Sequence, residues 1–432
     1  EQTIRVHLSV VQGYNMDFDG DEANIVVPVT PEAYAEVVGT MSARRNIMNE
    51  QNNCPNFGLA YDAIPGCFFV TDDSIVLDDG IINHAFTRVT NPPNREDWIR
   101  RCLKNNINPN SGKAYISLCF PPDFRYKKGD VEISDGILIK GQLTKKHVGT
   151  SPDSIVAALY FKYGNERAAD FLTDGTFLAV DYITIHGSTI TMSDFLISSE
   201  LQTTIFKIID TGQKRVSEHG GRLEDPFEED RRQQAILTTI RQLDNDLTDQ
   251  VISSLPKSNH MLQLVKSGAK GNTFNIFQSL GAIGQQYLFG KRPVALLSGG
   301  RVLYYFPPGD ESLKAFGYIS HSFASGLDMP EYYFVQMAAR ISMLDTTLKT
   351  AQVGSIRRYS SKAGENFIVV DGMVVDQYNN VVQFAYGGDG LNPAELIPIP
   401  IEGEIGPFGD TMTFFDDPKS SLYELASTCQ NF

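Results

Sequence analysis

The chain has 432 residues, 42% of them hydrophobic, and a formal net charge of -15 at pH 7. That length and apolar content support about two to four domains with their own cores and exclude a disordered chain. The acidic balance excludes unaided gripping of nucleic acid, which runs on Lys and Arg, and the lack of any run of about 18 apolar residues excludes a membrane-spanning helix.

The first 30 residues read as strand, turn, strand. "TIRVHLSVVQ" is rich in β-branched residues, and "ANIVVPV" resumes after an acidic loop. The opening "EQTIRVHLSV" has neither the basic start nor the apolar core of a signal peptide. A start without Met, directly in a strand pattern, raises the expectation of a piece of something larger. From about 31 to 195 short strand-like runs such as "GCFFV" and "GILI" alternate with "NPPN", "NPNSG" and "FPPDF", which predicts an irregular mixed α/β region.

Between 228 and 253, Ile236, Ile240, Leu243, Leu247 and Val251 fall on one stripe of an amphipathic helix. A second helix, about 256 to 267, ends at Gly268 with Lys266 in its last turn. Their short link, "SSLPKS", predicts an antiparallel helical hairpin. At "DMPEYYF" an N-cap Asp328, a first-turn proline and Glu331 as capping-box partner start a helix that nothing breaks until about Tyr359. Its length is roughly 45 Å at 1.5 Å per residue, and Gly354 marks a place for it to bend. "NFIVVDGMVVD" then predicts a β-hairpin turning at Asp371 and Gly372. Five cysteines (Cys54, Cys67, Cys102, Cys119, Cys429) without C-x-x-C spacing, and seven scattered histidines, fit a reducing compartment and argue against zinc.

The loop "DFDGD" places Asp17, Asp19 and Asp21 at alternate positions. An EF-hand would need Gly sixth and Glu twelfth, where Glu22 and Pro28 stand, so that reading fails. A solvated acidic turn stays open, although Phe18 lies inside the cluster and "NIVVP" follows at once. The third reading is a magnesium site. Alternate residues of an extended segment point to one side, so the carboxylates converge while Phe18 points into a core, and Gly20 permits the bend that brings Asp21 round. Carboxylates that close raise one another's pKa, and a hard cation with oxygen ligands removes the conflict. Mg2+ held so serves phosphoryl or nucleotidyl transfer.

"YNMDFDGDEANIVVP" resembles the active-site segment of the largest subunit of multisubunit DNA-dependent RNA polymerases, with Met16 where the family usually has Ala. "GQLTKKHVG" is similar to the family's pore region, "VKSGAKGNTFNIFQSLGAIGQQYLFGKRP" to its funnel in the eukaryotic and archaeal form, "SGLDMPEYYFVQMAARISMLDTTLKTAQVGSIRR" to its bridge helix, and "NVVQFAYGGDGLNP" keeps the family's form. The resemblance implies an α+β chain. It would hold the end of a double-psi β-barrel (1–45), a mixed pore region (46–200), a funnel with a helical hairpin (201–318), and a cleft region with the bridge helix and a β-rich tail (319–432).

By position, the resemblance implies that Asp17, Asp19 and Asp21 hold the catalytic Mg2+, with a second Mg2+ shared with a partner subunit. It implies further that Asn15 lies by the ribose of the incoming nucleotide and that Lys270, otherwise read as a solvent lysine, faces the triphosphate. On the long helix it implies that Thr350 and Ala351 meet the nascent base pair and that Lys349, Arg357 and Arg358 approach template phosphates. The family's Gly-Gly in the bridge helix is here Ala338-Ala339, a stiffer hinge.

Clamp, zinc ligands and trigger loop are expected outside this chain, from a split or partly present subunit that is inactive alone. Its implied partners are the second-largest subunit, the rest of the largest subunit, smaller subunits, DNA template, RNA and NTPs, with no membrane. The implied location is intracellular, in nucleus or cytoplasm, or in virion or viral factory if the source is a large DNA virus. Two other function classes compete for the acidic loop: a stand-alone two-metal nuclease or phosphatase, and a calcium-binding or scaffold module.

Overall fold

The computed structural model describes residues 3–49 and 52–390, with the backbone of Ile397–Ile399 and Phe414–Asp416. The chain forms two compact units, one of Glu1–Gly187 with Ser267–Ala269 and Asn366–Phe432, the other of Ser188–Lys266 and Lys270–Glu365.

In the first unit, helices α1 (Pro31–Glu36), α2 (Ala63–Val70), α3 (Asp79–Arg88), α4 (Arg95–Lys104), α5 (Gly112–Ile116), α6 (Lys145–Val148), α7 (Ile155–Tyr163) and α8 (Asn165–His186) surround little sheet. Strands β1 (Met48–Asn49) and β2 (Cys54–Pro55) pair antiparallel, and β3 (Tyr126–Lys128), β4 (Val131–Ser134) and β5 (Ile137–Lys140) form an antiparallel meander. One core holds this together, with Leu59, Trp98, Tyr115, Phe120, Phe124 and Phe171 all at most 1% exposed. Burying each such side chain contributes roughly 1.5–3 kcal/mol.

The run "GCFFV", expected as a strand, lies in α2. Every residue of that helix is buried, so it carries no amphipathic signature to separate it from a strand. "GILI" does lie in a strand, β5. The expected mixed region is therefore mainly helical, with two small sheets among the described residues.

The strands expected in residues 1–30 are absent among the described residues. Leu8–Val10 forms a 3-10 helix capped by His7, and Ala23–Val29 is irregular. A ladder needs a second strand to accept its N–H groups. No described residue pairs with this segment, and Val26 and Val29 stand 85% and 93% exposed.

The second unit contains α9 (Ser199–Ser217), α10 (Pro226–Ser254), α11 (His260–Ser267), α12 (Thr273–Leu280) and α13 (Met329–Gly364), with a two-stranded pair of β6 (Gly284–Gln285) and β7 (Tyr318–Ile319). Asp225 caps α10 by accepting from Phe227 N–H at 3.0 Å, and Pro226 and the first-turn acids Glu228 and Glu229 suit its positive end. Ile236, Ile240, Leu243, Leu247 and Val251 are all buried, as their spacing predicts.

The antiparallel partner of α10 is α9, a correction to the expected pairing with the helix after "SSLPKS". His219 just beyond α9 meets Thr239 at 3.0 Å, and Gly212 packs on Leu243 further back, so the two helices run in opposite directions. The helix α9 carries its own apolar stripe of Leu201, Ile205 and Val216, which shares one core with the buried face of α10.

The helix α13 begins as its cap residues predict. Asp328 N–H donates to Glu331 Oε2 at 3.2 Å, and Pro330 sits in the first turn. It runs through Gly354 to Gly364, past the expected end near Tyr359, because no residue in "SSKAG" stops it. Beyond it, β8 (Ile368–Val370) and β9 (Met373–Val375) form the predicted hairpin, Asp371 and Gly372 both having positive φ, and β10 (Val381–Gln383) adds a third strand. Further on, β11 (Ile397–Ile399) pairs antiparallel with β12 (Phe414–Asp416). The rest of the tail expected up to 432 lies outside the described residues. Among the described residues no helix is long and apolar enough to cross a membrane.

Candidate functional site

The acidic loop grows from a buried anchor. Val11 is 1% exposed, and Gly13 approaches the Phe57 ring so closely that an added Cβ would overlap it. Tyr14, Asn15 and Met16 N–H groups donate back to Val10, Gln12 and Val11 carbonyls at 3.4, 3.0 and 3.2 Å, and this turn leaves Asn15 at φ 49°. The chain therefore enters "DFDGD" from a fixed direction.

Within the loop Asp17 N–H donates to Asp21 Oδ2 at 3.0 Å, and Asp19 N–H donates to Asp17 Oδ1 at 3.4 Å. Gly20, at φ 118°, turns the backbone so that Asp21 folds back on Asp17. One carboxylate oxygen from each of Asp17, Asp19 and Asp21 lies within 4.8 Å of the others, and all three residues are exposed. The Asp19 carboxyl is pushed above its ordinary range, first by its hydrogen bond with Asp17 and the charge of Asp17, then by the charge of Asp21. Three acceptor-only groups crowded at one point are a donor set suited to a hard divalent cation.

Phe18 does not point into a core. It is 62% exposed, and its ring lies against Tyr61 at 5.5 Å between centroids. The loop projects from its anchor, so the alternate side that was expected to be buried faces Tyr61 and solvent.

Lys270 is exposed in the second unit, between α11 and the cap residue Asn272 of α12. On α13, Lys349 pairs with Asp345 at 2.5 Å and the Thr350 hydroxyl donates to the Thr347 carbonyl at 2.9 Å. Lys349, Thr350 and Arg357 line an open groove of about 1100 Å³ together with Tyr287 and Phe289. Ala351 and Arg358, one residue further round and seven apart, share a neighbouring face of the helix. The nucleic-acid candidates thus divide into two faces. The fold brings together the three aspartates, and separately the groove residues of α13.

Sequence reasoning did not single out Tyr287 and Phe289, although aromatics beside "GKR" offered a signal. It also missed Tyr61, for which no local signal exists. A second convergence of ligand atoms, His321, Asp328 and Glu331, is a helix cap. Glu331 accepts from Ser320 N–H, Ser320 Oγ–H and Asp328 N–H and lies 2.8 Å from His321 Nδ1, while Asp328 pairs with Lys314 at 3.2 Å.

Four family models match in consecutive order: RNA polymerase Rpb1 domain 2 over residues 1–43, domain 3 over 46–195, domain 4 over 213–319 and domain 5 over 326–409. Among curated relatives, the chain is 28% identical over 439 residues to a DNA-directed RNA polymerase II subunit RPB1 homolog of Invertebrate iridescent virus 6, covering 94% of this chain and 42% of the relative. It is 30% identical to subunit Rpo1N of the DNA-directed RNA polymerase of Thermococcus celer, covering 91% and 48%. With DNA-directed RNA polymerase subunit 1 of Acanthamoeba polyphaga mimivirus the identity is 26%, covering 93% and 27%. The chain thus spans less than half the length of each of these relatives.

Proposed function

This chain belongs to the family of RNA polymerase largest subunits, matching four consecutive domains of it, and from that membership we propose that it supplies the catalytic segment of a DNA-dependent RNA polymerase. The reaction is nucleotidyl transfer: the RNA 3' oxygen attacks the α-phosphorus of an incoming NTP and pyrophosphate leaves. The observation that carries the reading is the convergence of Asp17, Asp19 and Asp21, with oxygens within 4.8 Å of one another, inside a segment matched by the family model.

Asp17, Asp19 and Asp21 would hold one Mg2+, and a second would be shared with carboxylates of a partner subunit. Bound there, the cation lowers the pKa of an attacking hydroxyl and offsets charge on the phosphate. The residues do the positioning. The Asp17 N–H to Asp21 bond and the Gly20 turn hold the carboxylates on one side of the loop before any ligand arrives, which reduces the reorganisation that binding requires. Asn15, fixed by its turn two residues before Asp17, is assigned to the ribose of the incoming nucleotide. Lys270, exposed on a short link with Gly268 and Gly271 at positive φ, is assigned to the triphosphate as a mobile point charge. On α13, Thr350 and Ala351 are assigned to the nascent base pair, and Lys349, Arg357 and Arg358 to template phosphates.

The partners in this reading are the second-largest subunit, the remainder of the largest subunit, smaller subunits, template DNA, RNA and NTPs. Basic partner surfaces would line the channel for nucleic acid, which reconciles a net charge of -15 with polymerase work. The test is primer extension by the native complex carrying Asp19→Ala, with Fe2+-driven hydroxyl-radical cleavage as a second readout. RNA synthesis is expected to vanish and cleavage near Asp19 to disappear. Retained synthesis would overturn the proposal.

A further inference from the structure

We propose that Tyr61 is a positioning residue for the acidic loop, its ring bracing Phe18 so that Asp17 and Asp19 stay convergent. The inference deepens the reading of the loop as a cation site and rests on it.

From Phe57 to Val70 the chain is buried at every residue except Tyr61 and Asp62. In that otherwise covered run Tyr61 is 43% exposed, with Ala60 at 2% and Ala63 at 0% beside it. Its backbone stands at φ 49°, a left-handed conformation that a bulky side chain adopts rarely. The flanks enforce it: Leu59 N–H donates to the Val148 carbonyl at 2.9 Å, and Ile64 N–H to the Tyr61 carbonyl at 3.1 Å. Strain imposed by a buried frame on a residue whose side chain stays outside suggests that the side chain has a task there.

The ring has one visible contact of that kind. It lies 5.5 Å from the Phe18 ring, tilted at 45°, within the range of favourable aromatic pairs. Phe18 sits between Asp17 and Asp19, so its placement fixes the backbone that carries both carboxylates. Three like charges with oxygens within 4.8 Å push such a loop open. An apolar brace on Phe18, tied to the buried start of α2, resists that opening without adding charge.

The experiment uses the full chain with Tyr61→Asn, Tyr61→Phe and Phe18→Ala. Asparagine accepts positive φ and removes the ring, whereas phenylalanine keeps the ring. Amide hydrogen exchange over residues 15–21 without metal reads the brace, exchange over α2 controls for the fold, and Mn2+ titration by electron paramagnetic resonance reads the cation site. Tyr61→Asn is expected to speed loop exchange and weaken Mn2+ binding by about two- to ten-fold, the size of one aromatic contact. Tyr61→Phe should match the parent, and combining Tyr61→Asn with Phe18→Ala should add little to either single change. Unchanged exchange and affinity in Tyr61→Asn, or Tyr61→Phe failing like Tyr61→Asn, would overturn the proposal. Faster loop exchange in Tyr61→Asn, with no Mn2+ bound even by the parent chain, would support the brace and overturn the cation reading instead.

Discussion

The phenolic hydroxyl of Tyr318 donates to Asp244 Oδ1 at 3.0 Å inside the core of the second unit. Burial, only partly offset by that bond, pushes the Asp244 carboxyl up to about 7. The folded chain therefore keeps a proton that the unfolded chain has released between its ordinary value and 7. Stability should fall as pH rises through that window and level off above it, by roughly 4 kcal/mol at full ionisation. Asp244→Asn should remove most of the fall, which urea midpoints at pH 5 and pH 8.5 would check.

Glu229 has the opposite sign. Its hydrogen bonds with Arg232, at 2.9 Å to both Nε and Nη2, hold its carboxyl down to about 2. Its stabilisation is complete above its ordinary value of 4.5 and is lost as pH falls through about 2. Glu229→Gln is expected to cost about 2–3 kcal/mol at neutral pH and to flatten the acid side of the stability curve. A variant that loses nothing at pH 7 would refute the importance of this pair.

Glu331 is 1% exposed and gathers Ser320, His321 and Asp328 at the start of α13. Glu331→Ala leaves those donors without their acceptor and should destabilise the second unit by about 3 kcal/mol. Glu331→Gln, which keeps one acceptor oxygen, should lose less. Thermal unfolding of the two variants side by side would show the order.

In the proposed cation site the Asp19 carboxyl is raised above its ordinary range, chiefly by Asp17. Protons compete for this carboxyl at a higher pH than for an ordinary aspartate, so Mn2+ affinity should already decline above the usual carboxylate range. Asp19→Asn should abolish the competition together with most of the affinity. Titrations from pH 7 down to pH 4.5 would check both.

Ala338 lines the same groove as Tyr287 and Phe289. Replacing Ala338 and Ala339 with glycine costs about 1 kcal/mol of helix stability per site and should alter elongation rate or pausing in the assembled enzyme. An identical rate would show that the stiffness of this stretch is not used.

What was legible in the sequence was local. The cap of α13 rests on Asp328, Pro330 and Glu331, which are neighbours in the chain, and the face of α10 rests on the 3.6-residue period. The hairpin at Asp371 is likewise a two-residue matter. What failed depended on distant parts. "ANIVVPV" has strand composition, but a strand exists only with a partner, and no described residue supplies one. "GCFFV" is covered on all sides in α2, and uniform burial erases the pattern that separates helix from strand. At the site, the spacing of Asp17, Asp19 and Asp21 anticipated their convergence, whereas Phe18 was placed on the wrong side. Its neighbour, Tyr61, comes from 43 positions away along the chain. No residue type announces a left-handed tyrosine.

The helix α13 buries only Pro330, Glu331 and Phe334, and from Thr346 to Gly364 every residue is exposed. Mechanically it is a beam clamped at one end to its own unit, with roughly 45 Å, at 1.5 Å per residue, extending beyond Phe334. A cantilever amplifies small rotations at its root: one degree at Phe334 moves the tip by roughly 0.8 Å on the same helix geometry. The packing of Phe334 against Phe306, with centroids 6.4 Å apart, belongs to that root, about 22 Å along the helix from Lys349 at 1.5 Å per residue.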